Sequence, residues 1–269
     1  PRMATRGPAG PRAAGGGAGG GGVAVSGGGA AGEAAAARGE RVAAVRRRAA
    51  GAAMGAPPAV VSPSVAKADF WRLGEQCAAA VAGGAEWLHF SVQDGVFVPK
   101  VSLGSPVVAG LRDRLADTVF DVKLGTADPL HRVKEFADAG ADIISFHPEA
   151  APQPMAVLDA IRAAGCASGV VINPGTSVAA VAPLLAEADV AVVMLVNPGH
   201  GGPRREALAL EKVREIKALG GSTLVEVDGG VSAKSAPDFL EAGADVLVAG
   251  GAVFGAEDPS AAIDALRGA

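Results

Sequence analysis

The sequence predicts an α/β protein, a (β/α)8 TIM barrel, on three observations. Eight short β-branched or apolar runs recur from Ala59 onward: Val60–Ser62, Trp87–Val92, Val119–Leu124, Asp142–Phe146, Gly169–Ile172, Val190–Val196, Leu224–Val227 and Val246–Ala249. Ala/Leu/Glu-rich stretches of helical length lie between them, for example Asp69–Val81, Leu130–Ala139, Arg204–Leu219 and Ser232–Glu241. A weak internal repeat joins helix to strand at Gly83-Gly84-Ala85-Glu86, Ala139-Gly140-Ala141-Asp142 and Ala242-Gly243-Ala244-Asp245.

Each element has a physical reason. The apolar runs are largely continuous rather than alternating, as parallel strands buried on both faces require. The glycines of the repeat suit helix C-caps, where φ is often positive. A doubly wound open sheet uses the same βα units, but eight regular ones favour closure into a barrel over residues 58–269.

The 269 residues carry 24 Lys+Arg against 28 Asp+Glu, a formal charge of −4, which excludes a generally basic nucleic-acid binder. No apolar run approaches the ~18 residues that span a membrane, so no membrane partner is expected. Cys77 and Cys166 supply neither a disulfide framework nor a zinc-type cysteine pair, and a reducing compartment is expected. Residues 1–57 differ from the rest. They hold 16 of the 39 glycines and eight arginines, but only two acids, Glu33 and Glu40. Stretches such as Gly15–Gly22 bury too little apolar surface to offset backbone entropy, so residues 1–57 are expected to be a disordered Ala/Gly/Arg-rich extension. Its Ala-rich part, with Arg38, Arg41 and Arg46–Arg48, has the composition of a transient basic helix. The Arg-rich, acid-poor character is that of an organelle transit peptide.

In such a barrel the chemistry sits where strands end and βα loops begin. The candidates there are Ser64, His89, Ser91, Asp94, Lys123, His147, Asn173, Asn197–Gly202, Asp228–Gly230 and Gly250–Gly251. Three glycine clusters follow the last three strands: Gly199-His200-Gly201-Gly202, Gly229-Gly230 and Gly250-Gly251. Glycines admit a ligand close to backbone N–H groups, and together the clusters predict a phosphate site.

These residues carry a resemblance. Ser62-Pro63-Ser64, Asp94-Gly95-Val96-Phe97-Val98-Pro99, Asn197-Pro198-Gly199-His200-Gly201-Gly202, Glu226-Val227-Asp228-Gly229-Gly230 and Val248-Ala249-Gly250-Gly251-Ala252-Val253-Phe254-Gly255 make residues 60–267 similar to the ribulose-phosphate 3-epimerases, particularly the plastid type. The resemblance implies a barrel of the ribulose-phosphate-binding type, in a homo-oligomer. The implied reaction interconverts ribulose 5-phosphate and xylulose 5-phosphate through an enediolate, so the partner is a phosphorylated pentose. It implies a divalent metal (zinc, iron or manganese) held by two His and two Asp, the acids also serving as bases on the two faces of the carbon. It places the substrate against Ser64, Gly199, His200, Gly201, Gly202, Asp228, Gly229, Gly230, Gly250 and Gly251. With the N-terminal segment it implies the chloroplast stroma, or otherwise the cytoplasm.

The chain departs from that pattern at the reacting end. The family's His-x-Asp-x-Met-Asp-Gly reads His89-Phe90-Ser91-Val92-Gln93-Asp94-Gly95, and Asp-x-His-Leu-Met reads Asp121-Val122-Lys123-Leu124-Gly125. Of the four metal positions only His89 and Asp228 remain. Ser91 and Lys123 replace a catalytic Asp and a ligand His. Serine is a poor zinc ligand and a lysine ammonium repels a cation, so metal binding is expected to be weak or absent. Catalytic roles then fall to Asp228, Lys123 and Ser91, and turnover is expected to be weak or absent. Two alternatives stand: a non-catalytic phosphosugar-binding or regulatory paralogue, and a metal-independent enzyme that uses Lys123. Asp121-x-Lys123 also resembles the Asp-x-Lys of the orotidine monophosphate decarboxylase group, whose second Asp is here Thr126. Outside this set, Asp94 is expected to fix its loop, His147 to order the loop after the fourth strand with Glu149, His131 to be solvated, Cys77 to lie in the core and Cys166 in a turn.

Overall fold

Eight parallel strands make one sheet that curls into a nearly closed barrel. They are β1 (Val60–Ser62), β2 (Trp87–Gln93), β3 (Val119–Gly125), β4 (Ile143–Phe146), β5 (Ala167–Ile172), β6 (Val190–Met194), β7 (Leu224–Asp228) and β8 (Val246–Val248). The computed structural model describes residues 27–52 and 58–268. The helices are α1 (Gly27–Ala52), α2 (Leu73–Ala82), α3 (Ser105–Arg112), α4 (Pro129–Asp138), α5 (Pro154–Ala163), α6 (Val178–Leu185), α7 (Glu206–Leu219), α8 (Ala236–Ala242), α9 (Gly250–Phe254) and α10 (Pro259–Arg267). All eight expected strands form, with no end shifted by more than two residues.

Each strand pairs in parallel with its sequence neighbour from β2 through β8, and β8 pairs with β1. Among the described residues the β1–β2 seam is closed only by a bridge between Ser64 and His89, where the His89 amide donates to the Pro63 carbonyl at 3.0 Å. The main core lies between the sheet and its outer helices, with Phe90, Phe120, Phe146 and Phe239 fully buried. Local sequence starts the helices: Asp128, Ser177 and Asp258 each accept a hydrogen bond from a first-turn amide of α4, α6 and α10.

The described part of residues 1–57 is helical and includes the Ala-rich stretch with Arg38, Arg41 and Arg46–Arg48. Gly27–Ala52 is a helix seated across the N-terminal end of the barrel; residues 1–26 and 53–57 lie outside the described residues. Val42, Val45 and Ala49 fall at i, i+3 and i+7, one face of a helix. They are 4%, 2% and 5% exposed, and they pack in one cluster with Trp87, Ile143, Leu224 and Val246. The arginines find partners on the same floor. Arg41 Nε donates to Asp142 at 2.9 Å, Arg46 Nε to Asp189 at 2.9 Å, and Arg38 to the Ala137 and Ala164 carbonyls. Tertiary burial of a sparse Val/Ala stripe outweighs the Gly/Ala/Arg composition. Among the described residues no helix is long and apolar enough to cross a membrane.

Candidate active site

Strand periodicity builds the site. Successive inward side chains lie two residues apart. The lowest layer is apolar, with Val60, Trp87, Val119, Ile143 and Leu224 resting on α1. Two residues further along come His89, Asp121 and Glu226, fully buried. Two more reach Ser91, Lys123, His147 and Asp228 at the C-terminal ends of their strands. Register fixes the neighbours: His89 is level with Asp121, Ser91 with Lys123, and Met194 with Asp228.

A cavity of about 490 Å³ opens above this layer. Its wall includes Ser64, Ser91, Lys123, Met194 and Asp228, and the glycines Gly199, Gly201, Gly229, Gly230, Gly250 and Gly251. Of the residues expected around a substrate, Gly202 and His200 do not line it. His200 is exposed and faces a neighbouring depression with Asn173 and Thr176. Gly229 has φ +126°, and a Cβ there would lie 3.1 Å from the Leu195 amide, so glycine is required. Gly251 faces open space. A larger cleft, about 570 Å³, lies at the other end of the barrel beside α1, where Arg46 and Asp189 already pair.

The charges inside are matched. The Lys123 ammonium pairs with Asp228 Oδ2 and lies 3.5 Å from Met194 Sδ. The two partners are 4% and 9% exposed. Burial alone would raise the Asp228 carboxyl, but Lys123 and then His89 hold it below the usual carboxylate range. His89 Nδ1 donates to Asp121 Oδ2 at 2.5 Å and lies 3.3 Å from Glu226 Oε1. His89 Nε2 faces Ser91 Oγ at 3.2 Å and Asp228 Oδ2 at 3.7 Å. Burial would lower the His89 imidazole, but Asp121, with help from Glu226, lifts it to about 10. Burial and then repulsion from Asp121 push the Glu226 carboxyl up. His89, Asp121 and Glu226 bring ligand atoms within 4.8 Å of one another, one layer below the cavity.

Asp94 fixes its loop as expected. Its Oδ1 accepts from the Val96 and Phe97 amides at 2.9 Å, and its Oδ2 accepts from the Ala127 amide at 2.8 Å. Cys77 and Cys166 are both buried, and Cys166 Sγ donates to the Ala141 carbonyl at 3.3 Å. His131 is exposed and pairs with Asp128 at 2.7 Å. His147 corrects the expectation. Glu149 accepts instead from Thr176, while both ring nitrogens of the buried His147 lack a partner. Burial and then the Lys123 charge lower its imidazole to about 3, so it is neutral. Sequence reasoning overlooked Asp121 and Glu226 as layer-mates of His89, and Met194 as a wall of the cavity. The signal was the two-residue period, which puts Asp121 beneath Lys123 and Glu226 beneath Asp228.

Comparison with known proteins adds an independent line. A family model described as "Ribulose-phosphate 3 epimerase family" matches residues 60–254. The ribulose-phosphate 3-epimerase of Bacillus subtilis (strain 168) is 39% identical over 213 residues, covering 77% of this chain and 98% of the relative. That of Mycobacterium tuberculosis (strain ATCC 25618 / H37Rv) is 42% identical over 212 residues, covering 77% and 91%. The ribulose-5-phosphate-3-epimerase, chloroplastic, of Arabidopsis thaliana is 40% identical over 214 residues, covering 77% and 76%. Among solved structures, KGPDC from Streptococcus mutans matches with TM-score 0.61 at 18% identity, over 79% of this chain and 97% of that one. At that identity the likeness is one of fold.

Proposed function

The chain belongs to the ribulose-phosphate 3-epimerase family, and on that premise we propose that it binds a pentulose 5-phosphate and epimerises it slowly, without a divalent ion. The observation that carries the metal-free part is the Lys123 ammonium, buried against Asp228 between the family's ligand positions. The residues there do not fit a divalent cation. An ammonium has no lone pair to offer, Ser91 is a weak donor, and His89 is held in its charged form by Asp121. A dication would add charge to a site where Lys123 and His89 already balance two carboxylates.

Lys123 supplies what the chemistry demands. A proton beside a ketone is weakly acidic, and the enediolate formed by removing it needs a neighbouring positive charge. Asp228 is the base beside that charge. Its ion pair weakens it as a base, so turnover is slow. The glycine clusters after β6, β7 and β8 line the same cavity and leave room there for the phosphate oxygens. The Lys123–Asp228 pair also favours a second reading, a phosphosugar-binding protein without turnover, because it occupies the one retained acid. Family membership extends the proposal to a homo-oligomer, and the Arabidopsis relative extends it to a plastid.

The test is made on purified protein. Ribulose 5-phosphate should raise the melting temperature, and elemental analysis should find less than stoichiometric zinc, iron or manganese. Epimerase activity should be slow, survive a chelator and vanish in Lys123→Ala. One tightly held divalent ion per chain would overturn the metal-free reading. Binding without any turnover would favour the second reading.

A further inference from the structure

We propose that Lys67 and Lys100 bind the phosphate group of the substrate and make the cavity selective for a phosphorylated sugar. The proposal rests on the pentulose 5-phosphate reading above and names the side chains that meet the charge. Neither lysine belongs to the glycine clusters or to the Lys123–Asp228 pair.

The first observation is a count of charge. The wall of the cavity carries Lys67, Lys100, Lys123 and Asp228, and no other charged side chain. Lys123 and Asp228 neutralise each other. Lys67 and Lys100 are exposed, and among the described residues neither pairs with a carboxylate. The wall therefore has two positive charges left over, in a chain whose formal charge is −4. A phosphate monoester carries about −1.5 to −2 at neutral pH, which matches that surplus. A cleft lined by one sign of charge also raises the local concentration of an oppositely charged ligand.

The second observation is position. Lys67 ends the short 3-10 turn Val65–Lys67 that follows β1. Its stem crosses Gly250, where an added Cβ would lie 2.6 Å from Lys67 Cγ and 2.9 Å from Lys67 Cβ. Lys100 follows Pro99 in the loop after β2, and an added Cβ on Gly199 would lie 2.9 Å from Pro99 Cδ. That loop is pinned beside Lys100. Asp94 bridges Val101, and Ser102 Oγ donates to the Ser91 carbonyl at 2.7 Å while accepting from the Gln93 amide at 2.9 Å. One lysine therefore adjoins the glycines after β8 and the other adjoins those after β6. Arg204 also stands at the glycines, but it donates to the Gly230 carbonyl at 2.7 Å and pairs with Glu206 at 3.2 Å, so its charge is taken. Backbone amides carry only partial charges, and the two lysines supply whole ones.

The test reads affinity rather than turnover. Calorimetry measures ribulose 5-phosphate binding to the parent, Lys67→Gln, Lys100→Gln and the double variant, each at low and at high sodium chloride. Lys134→Gln is the charge control, since this exposed lysine of α4 pairs with Asp138 and lies outside the cavity wall. Each cavity variant should bind roughly 5- to 10-fold more weakly, and the double variant about 30-fold or more, as expected for solvent-exposed, charge-assisted contacts. Added salt should weaken the parent more than the double variant. The melting temperature without ligand should be unchanged in every variant of the cavity, because neither lysine has a partner to lose, so weaker binding is not unfolding. Parent-like affinity in either single variant, or an equal loss in Lys134→Gln, would overturn the role of the lysines and leave the pentulose 5-phosphate reading standing. Absence of ribulose 5-phosphate binding by the parent would overturn both.

Discussion

Replacing Lys123 with methionine keeps the length of the side chain and removes its charge. Asp228 then remains a carboxylate at 9% exposure with its cationic partner gone. Removing one member of a buried ion pair costs roughly 3–5 kcal/mol, because the other charge is left uncompensated. Two features reduce that figure here. Asp228 lines an open cavity and can recover some water, and the Gly229 amide still donates to it. The expected cost is therefore about 2–3 kcal/mol, toward the lower end of what unpaired buried charges show. For a domain of this size that lowers the melting temperature by roughly 4–12 °C. Asp228→Asn should be similarly destabilising, since it strands the ammonium. The double variant Lys123→Met/Asp228→Asn should lie close to the parent, giving a coupling energy of about 2 kcal/mol or more. Urea denaturation of the four proteins, read by far-ultraviolet circular dichroism, closes the cycle. If Lys123→Met costs under about 1 kcal/mol, or if the two effects simply add, then the pair is not a buried, mutually dependent unit. Lys123 could then not stand in the place of a metal.

Three other outcomes follow from the same geometry. Val42→Ala with Val45→Ala removes four buried methyl groups from α1 and should cost about 3 kcal/mol at ~0.8 kcal/mol per group, whereas Arg47→Ala, on the exposed face, should be neutral; equal behaviour of the two in urea would mean that the helix is not docked. Gly251→Leu places a side chain where no atom lies within 4 Å, so stability should hold within about 0.5 kcal/mol while the melting-temperature rise with ribulose 5-phosphate disappears. Ser91→Asp with Lys123→His rebuilds two His and two Asp, and should restore zinc or manganese binding, measured by calorimetry, together with faster epimerisation. Ser91→Asp alone should do less, because register sets the new acid beside Lys123 and the two will pair.

The barrel was legible because its strands are continuous apolar runs and its helix ends carry glycine, both local signals. At the reacting end the sequence puts Ser91 and Lys123 where the family motifs have Asp and His, and strand register carries both side chains to the cavity wall. What the sequence hid depends on distance through space. Val42, Val45 and Ala49 are a thin apolar stripe among arginines, and only the floor formed by Trp87, Ile143 and Leu224 makes that stripe a contact. The partner of Lys123 lies over a hundred positions away and emerges only when β7 is laid across the barrel from β3. His200 belongs to a cluster that reads as a phosphate loop, yet its backbone turn points it away from the cavity. His147 shows the same limit: its neighbour Glu149 is close in sequence but is taken up by Thr176.

A ring held by seven ladders and one stitch has a natural place to open. The stitch is the amide of His89 on the Pro63 carbonyl. Breathing of the barrel therefore begins at the residue that links Asp121 to Ser91. In hydrogen-exchange terms the His89 amide should be among the earliest inner-strand amides to exchange, although the imidazole it carries is shut away from solvent. A ligand that touches Ser64 on one side of the gap and Ser91 on the other would act as a clasp. Its binding would slow that exchange, and would do so before any bond in the ligand changed.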